Sequence, residues 1–156
     1  MSIAATLKDY LDQNGIKYTL ITHSQAFTAQ ELAASMHVPG RELAKVVIVK
    51  LDDQLAMAVL PAHHQIDFAR LTEATGAQRV RLASEDEFKN LFPDCEIGAM
   101  PPFGNLYGLP VYVARPLAED EEIVFNAGTH REAIRMKEAD FERLVKPTVV
   151  DFTYVP

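Results

Sequence analysis

One apolar run limits the fold of this chain more than any other feature. Val46-Val47-Ile48-Val49 is apolar at every position and rich in β-branched residues, the pattern of a strand covered on both faces. Asp52-Asp53 supplies a turn, and Gln54 to Leu60 returns as a second apolar strand. Residues 45–61 therefore predict a central β-hairpin, buried on both sides by the rest of the chain.

Helical and extended patterns follow one another irregularly around this hairpin. Helices are predicted over residues 3–14, 29–36, 41–44, 64–75, 84–92 and 137–145. Strands are predicted over residues 17–21, 78–83, 109–114, 122–125, 134–136 and 149–154. Because the order lacks a regular βαβ alternation, it indicates an α+β fold with a mixed sheet.

The size and composition predict one domain over residues 1–156. The chain has 156 residues, of which 48% are apolar, enough for a sizeable core. Its longest apolar runs are too short to cross a bilayer, and its first residues lack the basic segment and apolar core of a secretion signal. We therefore expect a cytoplasmic protein that does not enter a membrane.

The charge balance argues against extensive binding of duplex nucleic acid. The formal net charge is −7, and no run of Lys and Arg exceeds two residues. Contacts to phosphates supply most of the affinity of proteins that hold long stretches of nucleic acid, and those contacts need a basic surface. A small basic patch could still hold one end of a strand.

Several common chemistries are absent from the sequence. It contains no G-x-S-x-G, no phosphate-binding G-x-x-x-x-G-K-[ST], no G-x-G-x-x-G and no H-E-x-x-H pattern. His63-His64 lacks further ligands nearby, so we expect a solvated pair and no metal site. Cys95 is the only cysteine, and we expect a small buried hydrophobe; a thiol enzyme would need a histidine beside a partly exposed sulfur.

Three features remain that no simple structural role explains together. Lys45 directly precedes the four core residues of the first hairpin strand. The stretch Gly98-Ala-Met-Pro-Pro-Phe-Gly104 places two prolines between two glycines, which predicts a rigid loop that another molecule can approach. Gly128-Thr129-His130 forms a third short element. Each alone is more typical of a rim lysine, a packed loop or a turn.

These three elements, in this order and spacing, resemble the signature of the YbaK/prolyl-tRNA synthetase-associated editing domain family. The resemblance covers about residues 5–150. It implies a compact, strongly twisted, barrel-like mixed sheet flanked by helices. It also implies a trans-editing hydrolase that cleaves the ester of mischarged aminoacyl-tRNA, releasing a small amino acid and free tRNA, without a cofactor.

The resemblance also implies roles for residues of this chain. Lys45 would hold the terminal nucleotide or ester oxygens, Gly98 and Gly128 would present backbone groups to the substrate, and His130 would shape the amino-acid pocket. These four are the predicted catalytic residues. The predicted substrate-binding residues are Met100, Pro101, Pro102, Phe103, Gly104 and Thr129.

The predicted partners are the acceptor end of a tRNA carrying an amino acid and, in addition, an aminoacyl-tRNA synthetase. No carboxylate or histidine stands out as a general base. An alternative is a non-catalytic member of the family that uses the same pocket to bind an amino acid, an aminoacyl group or a protein partner.

Overall fold

The computed structural model of the chain describes residues 4–22 and 42–156. Its helices among these residues, apart from one turn of 3-10 helix at Gly104–Tyr107, are α1 (Ala5–Gln13), α2 (Phe68–Thr75), α3 (Glu85–Phe88), α4 (Arg115–Ala118) and α5 (Glu138–Val145). Its strands are β1 (Tyr18–Thr22), β2 (Ala44–Leu51), β3 (Gln54–Pro61), β4 (Gln65–Ile66), β5 (Val80–Leu82), β6 (Val111–Ala114), β7 (Glu122–Thr129), β8 (Glu132–Lys137), β9 (Thr148–Val150) and β10 (Thr153–Tyr154).

The predicted hairpin is confirmed as the centre of a five-stranded mixed sheet. The strand order is β5-β2-β3-β6-β9, in which β2 pairs with β3 and β5 in antiparallel fashion and β3-β6-β9 run parallel. Asp52 takes a positive φ of 54° at the turn of the hairpin. Side chains on the two faces of this sheet enter two separate cores, as the alternation of a fully covered strand requires.

A second, three-stranded antiparallel sheet has the order β1-β8-β7. An isolated parallel bridge between Leu43 and Val124 connects it to the start of β2. The sheets of the described residues therefore do not close into a barrel, and the barrel-like part of the expectation is wrong. The α+β class, the mixed sheet and the flanking helices are confirmed.

The main core lies between the two sheets and the helices α1 and α5. Phe103 is at its centre, with ring centroids 5.6 Å from Phe125, 5.5 Å from Phe141 and 6.3 Å from Tyr10. Leu7 and Leu11 of α1 are fully buried in the same core. The smaller core covers the other face of the hairpin and contains Val49, Ala56, Ala58, Leu60, Leu71, Ala114 and Phe152.

Local signals predicted most elements, and the misses have identifiable causes. Ser84 and Glu87 form a capping box at the start of the helix predicted over residues 84–92, but this helix ends at Phe88. The helix expected from His64 begins instead at Phe68, because the Asp67 side chain caps it by accepting from the Arg70 N–H.

Tertiary contacts account for the other differences. Leu43 and Ala44 belong to strand pairing rather than to a turn of helix. Pro116 opens the short helix α4, which the sequence analysis missed. The terminal strand is split at Phe152, whose side chain enters the smaller core. The helix expected over residues 29–36 lies outside the described residues.

Candidate functional site

The segments that carry the predicted site residues form backbone hydrogen bonds with one edge of β7. The Val124 N–H donates to the Glu42 carbonyl (2.9 Å), where β2 begins. Three residues further along, the Ala127 carbonyl accepts from the Ala4 N–H (2.8 Å) at the start of α1. The loop before Met100 joins the same edge at Gly128. Val124 and Gly128 are separated by ~13 Å along the strand, so all three segments meet within a small region.

Gly128 sits where the pairing of β7 with β8 shifts register, between Asn126 and Thr129. Its φ is +101°, and a Cβ at this position would lie 2.8 Å from the Ala4 Cβ. Its N–H donates to the Ala99 carbonyl (2.9 Å), and its carbonyl accepts from the Glu96 N–H (2.7 Å). These bonds hold the loop against β7 and occupy the N–H and the carbonyl of Gly128, and its predicted role in presenting backbone groups to the substrate stays a prediction.

His130 and Gly98 lie side by side. The His130 N–H donates to Glu96 Oε1 (2.6 Å), and the ring Nε2 lies 2.8 Å from the Ile97 carbonyl oxygen. Gly98 is exposed with a φ of +87°, and a Cβ there would lie 3.4 Å from the His130 Cε1. The structure thus brings together two of the four predicted catalytic residues, and Gly128 lies two positions before His130, near the end of β7.

The rest of the predicted loop is buried. Met100, Pro101, Pro102, Phe103 and Gly104 all lie in the interior. A Cβ on Gly104 would be 2.8 Å from the Val111 Cγ2, so the second glycine is required by packing. These five residues therefore anchor the loop, and only its Gly98 end is open to another molecule.

Thr129, the last residue of β7, is also buried, at 3% exposure. Its hydroxyl lies 3.4 Å from Glu132 Oε1 and accepts from the Arg131 N–H at 3.3 Å. These contacts fix the turn that carries His130. Its predicted contact with a substrate stays a prediction, and its observed contacts are structural.

Lys45 is the second residue of β2, half buried and opposite Leu60 of β3. Burial lowers the pKa of its ammonium group. Among the residues that the structure describes, this ammonium has no hydrogen-bond or ion-pair partner. The structure places its strand beside β7 and records no contact between Lys45 and Gly98, so their cooperation stays a prediction.

Glu96 belongs to this site although no sequence motif points to it. Its side chain binds the His130 N–H, its own N–H binds the Gly128 carbonyl, and its carbonyl accepts from the Ala99 N–H (3.0 Å). One residue thereby connects the loop to the turn at three points. An isolated glutamate two positions before a glycine matches no sequence pattern that predicts such a connecting role.

Within residues 4–22 and 42–156, the hydrogen-bond partners of the Cys95 thiol include no histidine. Its sulfur lies 3.5 Å from the Tyr107 hydroxyl and 3.6 Å from Asp94 Oδ1. Burial is the main cause that raises the pKa of this thiol to about 11, so the reactive thiolate is scarce at neutral pH. These surroundings argue against a thiol enzyme.

His63 and His64 pack edge to face, with ring centroids 4.4 Å apart, and His64 Nδ1 lies 2.8 Å from Thr153 Oγ1. Burial, together with the charges of His63 and Lys45, lowers the pKa of His64. Within residues 4–22 and 42–156, no group of three or more His, Cys, Asp or Glu side chains could hold a metal ion. No helix in the same ranges is long and apolar enough to span a membrane.

Comparison with known proteins gives three findings. The sequence profile of the aminoacyl-tRNA editing domain matches residues 23–144. The chain is 31% identical over 148 residues to the multifunctional Ser/Thr-tRNA deacylase ProXp-y of Escherichia coli (strain K12), covering 91% of this chain and 87% of that protein. It is also 35% identical over 83 residues to a proline–tRNA ligase of Staphylococcus saprophyticus, covering 53% of this chain and 14% of the ligase.

The fold has a close solved counterpart. A crystal structure described as a candidate trans-editing enzyme for prolyl-tRNA synthetase superimposes with a TM-score of 0.82. The two chains are 22% identical, and the match covers 97% of this chain and 96% of the other. At this identity the likeness concerns the fold.

Proposed function

Because the chain belongs to the aminoacyl-tRNA editing domain family, we propose that its open Gly98–His130 corner, together with Lys45, is the site at which it deacylates mischarged aminoacyl-tRNA. The family and the trans-editing deacylase function that the sequence motifs predicted are confirmed by these relatives. The whole chain, residues 1–156, acts as one such domain, and its place of action is the cytoplasm.

Hydrolysis of an aminoacyl ester needs a positioned water and stabilisation of the oxyanion that develops on the carbonyl oxygen. Gly98 can let an ester approach its backbone closely because it has no Cβ and is exposed. Lys45 offers a cation without a competing acid among the described residues, which suits the ester oxygens or the terminal nucleotide.

The roles of the remaining residues follow from their contacts. His130 forms one wall of the amino-acid pocket, fixed by its bonds to Glu96 and Ile97. Gly128 and the buried part of the loop hold this wall and Gly98 in place before the substrate arrives. The single observation that carries the proposal is the closeness of Gly98 to His130, which directly follows β7, next to the strand that carries Lys45.

The amino acid removed is small and carries a hydroxyl group. The relative from E. coli acts, by its name, on Ser- and Thr-tRNA, and it aligns with most of this chain. A separate hydrolytic site is useful for such side chains, because a hydrophobic synthetase pocket rejects an isostere with an added hydroxyl by only a factor of about 100.

The partner is the aminoacylated acceptor end of a tRNA, and a synthetase is a second partner. With a net charge of −7, the protein has little general attraction for a phosphate backbone. The synthetase partner is consistent with the similarity to part of a proline–tRNA ligase. Contact with tRNA is therefore confined to its end.

Deacylation of a panel of mischarged tRNAs tests the proposal. The parent should release serine or threonine, and Lys45→Ala should reduce kcat/KM at least 100-fold while circular dichroism stays unchanged. Lys89→Ala is the matched control, because Lys89 is an exposed lysine paired with Asp86 on α3. Undiminished hydrolysis by Lys45→Ala would remove Lys45 from the site. No release from any tRNA by the parent would leave the non-catalytic binding protein as the explanation.

A further inference from the structure

Glu96 is an exposed acid beside the open corner of the candidate site. Its Oε1 accepts a hydrogen bond from the His130 N–H at 2.6 Å. The His130 ring in turn lies beside Gly98, with Cε1 3.4 Å from the position that a Cβ on Gly98 would take. The carboxylate, the His130 ring and the bare backbone of Gly98 therefore lie around one small region of the surface.

One oxygen of this carboxylate is unused. A carboxylate has two oxygens, and each can accept more than one hydrogen bond. Among the described residues, the bond from His130 to Oε1 is the only hydrogen bond of the Glu96 side chain, and no cationic side chain pairs with it. Oε2 thus offers a negative charge that no cation of residues 4–22 and 42–156 neutralises.

The carboxylate is also held in place before a ligand arrives. Its 2.6 Å bond to the His130 N–H is short even for a hydrogen bond to an ionised group. The backbone of Glu96 is fixed as well, because its N–H donates to the Gly128 carbonyl and its carbonyl accepts from the Ala99 N–H. A group that binds Oε2 therefore does not have to order a mobile side chain, which favours its binding.

We propose that Glu96 Oε2 binds the α-ammonium group of the aminoacyl ester. This inference rests on the proposed function, since it assigns a residue to the recognition of that substrate. In a seryl or threonyl ester, the protonated α-amino nitrogen is the only cation, and it is two bonds from the ester carbonyl carbon. An ester whose carbonyl lies against Gly98 therefore brings its ammonium to the corner that holds this carboxylate.

The chemistry of Oε2 favours the ammonium over the other groups of the substrate. A carboxylate attracts cations, and it repels both the phosphates of the tRNA end and the oxyanion formed during hydrolysis. The substrate combines an anionic nucleotide with a cationic amino acid, and Lys45 and Glu96 carry the two complementary charges.

Such a contact would also protect the products of translation. The α-nitrogen of peptidyl-tRNA is an uncharged amide, so it cannot form an ion pair with Glu96. A deacylase that depends on this ion pair discriminates between a free aminoacyl-tRNA and a tRNA that carries a growing chain.

Two esters that differ in one group test the contact. One is seryl-tRNA, and the other is the same tRNA acylated with 3-hydroxypropanoic acid, which is serine without its amino group. Glu96→Gln keeps an acceptor for the His130 N–H but removes the negative charge. It should lower kcat/KM for seryl-tRNA by roughly tenfold or more, and for the other ester by less than about threefold.

The comparison separates binding of the ammonium from a structural role. Each ester is compared between the parent and the variant, so the intrinsic reactivity of the ester cancels. Partial unfolding or a displaced His130 would lower both rates in the same proportion. Glu73→Gln is the matched control, because Glu73 is exposed on α2, and it should leave both rates unchanged.

Binding of a stable analogue separates this inference from the proposed function. Seryl-amido-adenosine, in which an amide at the 3′ position replaces the ester, keeps the ammonium and resists hydrolysis, and calorimetry measures its affinity. A parent that binds it roughly tenfold more tightly than Glu96→Gln does, but hydrolyses no aminoacyl-tRNA, would support the ammonium site and refute the deacylase. A parent that hydrolyses seryl-tRNA, with Glu96→Gln affecting both esters equally or neither, would overturn the ammonium site alone. A parent that neither binds the analogue nor hydrolyses seryl-tRNA would overturn both.

Discussion

Replacing Gly128 with alanine tests how the site is held together. Gly128 has a φ of +101°, which an L-residue adopts only with strain, and its missing Cβ would stand 2.8 Å from the Cβ and 3.1 Å from the backbone nitrogen of Ala4. The backbone strain should cost about 1–3 kcal/mol. Moving the buried start of α1 to relieve the overlap should cost a further ~1–3 kcal/mol.

Gly76→Ala is the matched control. Gly76 ends α2 with a φ of +72°, and nothing lies within 4 Å of the position of its missing Cβ. Its substitution should therefore cost only the conformational part, about 1–2 kcal/mol. The loss of unfolded-state entropy is common to both substitutions and cancels between them.

The measurement is urea-induced unfolding of the parent and both variants, with comparison of midpoints at a constant slope. We expect Gly128→Ala to lose roughly 1–3 kcal/mol more than Gly76→Ala. It should also lose deacylase activity, because the bonds from Gly128 to Ala99 and Glu96 set the position of Gly98. Equal losses of stability would show that the close approach of Ala4 is not what requires glycine at position 128.

Two further predictions concern other buried groups. Burial, and next the neighbouring Glu142 and Asp120, raise the pKa of Glu138, which is 6% exposed, to about 8. Between pH 4.5 and 8 the folded state thus holds a proton that the unfolded state has released, so the free energy of unfolding should fall as pH rises. In urea titrations, Glu138→Gln should make this fall smaller. An equal fall in the parent and in Glu138→Gln would contradict the assignment of the proton to Glu138. Cys95→Ala should keep deacylase activity within twofold. The parent should react slowly with iodoacetamide at pH 7, because burial raises the pKa of this thiol to about 11. Loss of activity in a folded Cys95→Ala variant would support the thiol enzyme instead.

The different surroundings of the predicted site residues share one physical cause. Gly98, Phe103, Gly104 and Gly128 looked alike as parts of glycine-bearing motifs. The structure separates them by what surrounds each residue: Gly98 is open, Gly128 faces Ala4, Gly104 faces Val111, and Phe103 fills the core. Motif spacing cannot report these surroundings, since they are made by residues distant in the chain.

The sequence by itself determined the central hairpin, the capping box at Ser84, the helix α5 and the family, because these depend on side-chain periodicity and on short patterns of adjacent residues. Only the tertiary structure decided that β7 collects the start of β2, the start of α1 and the loop at Glu96, and that the Glu96 carboxylate lies beside His130 and Gly98. Such relations depend on strand register and on contacts between residues up to more than a hundred positions apart, such as Ala4 and Gly128, and no local pattern encodes them.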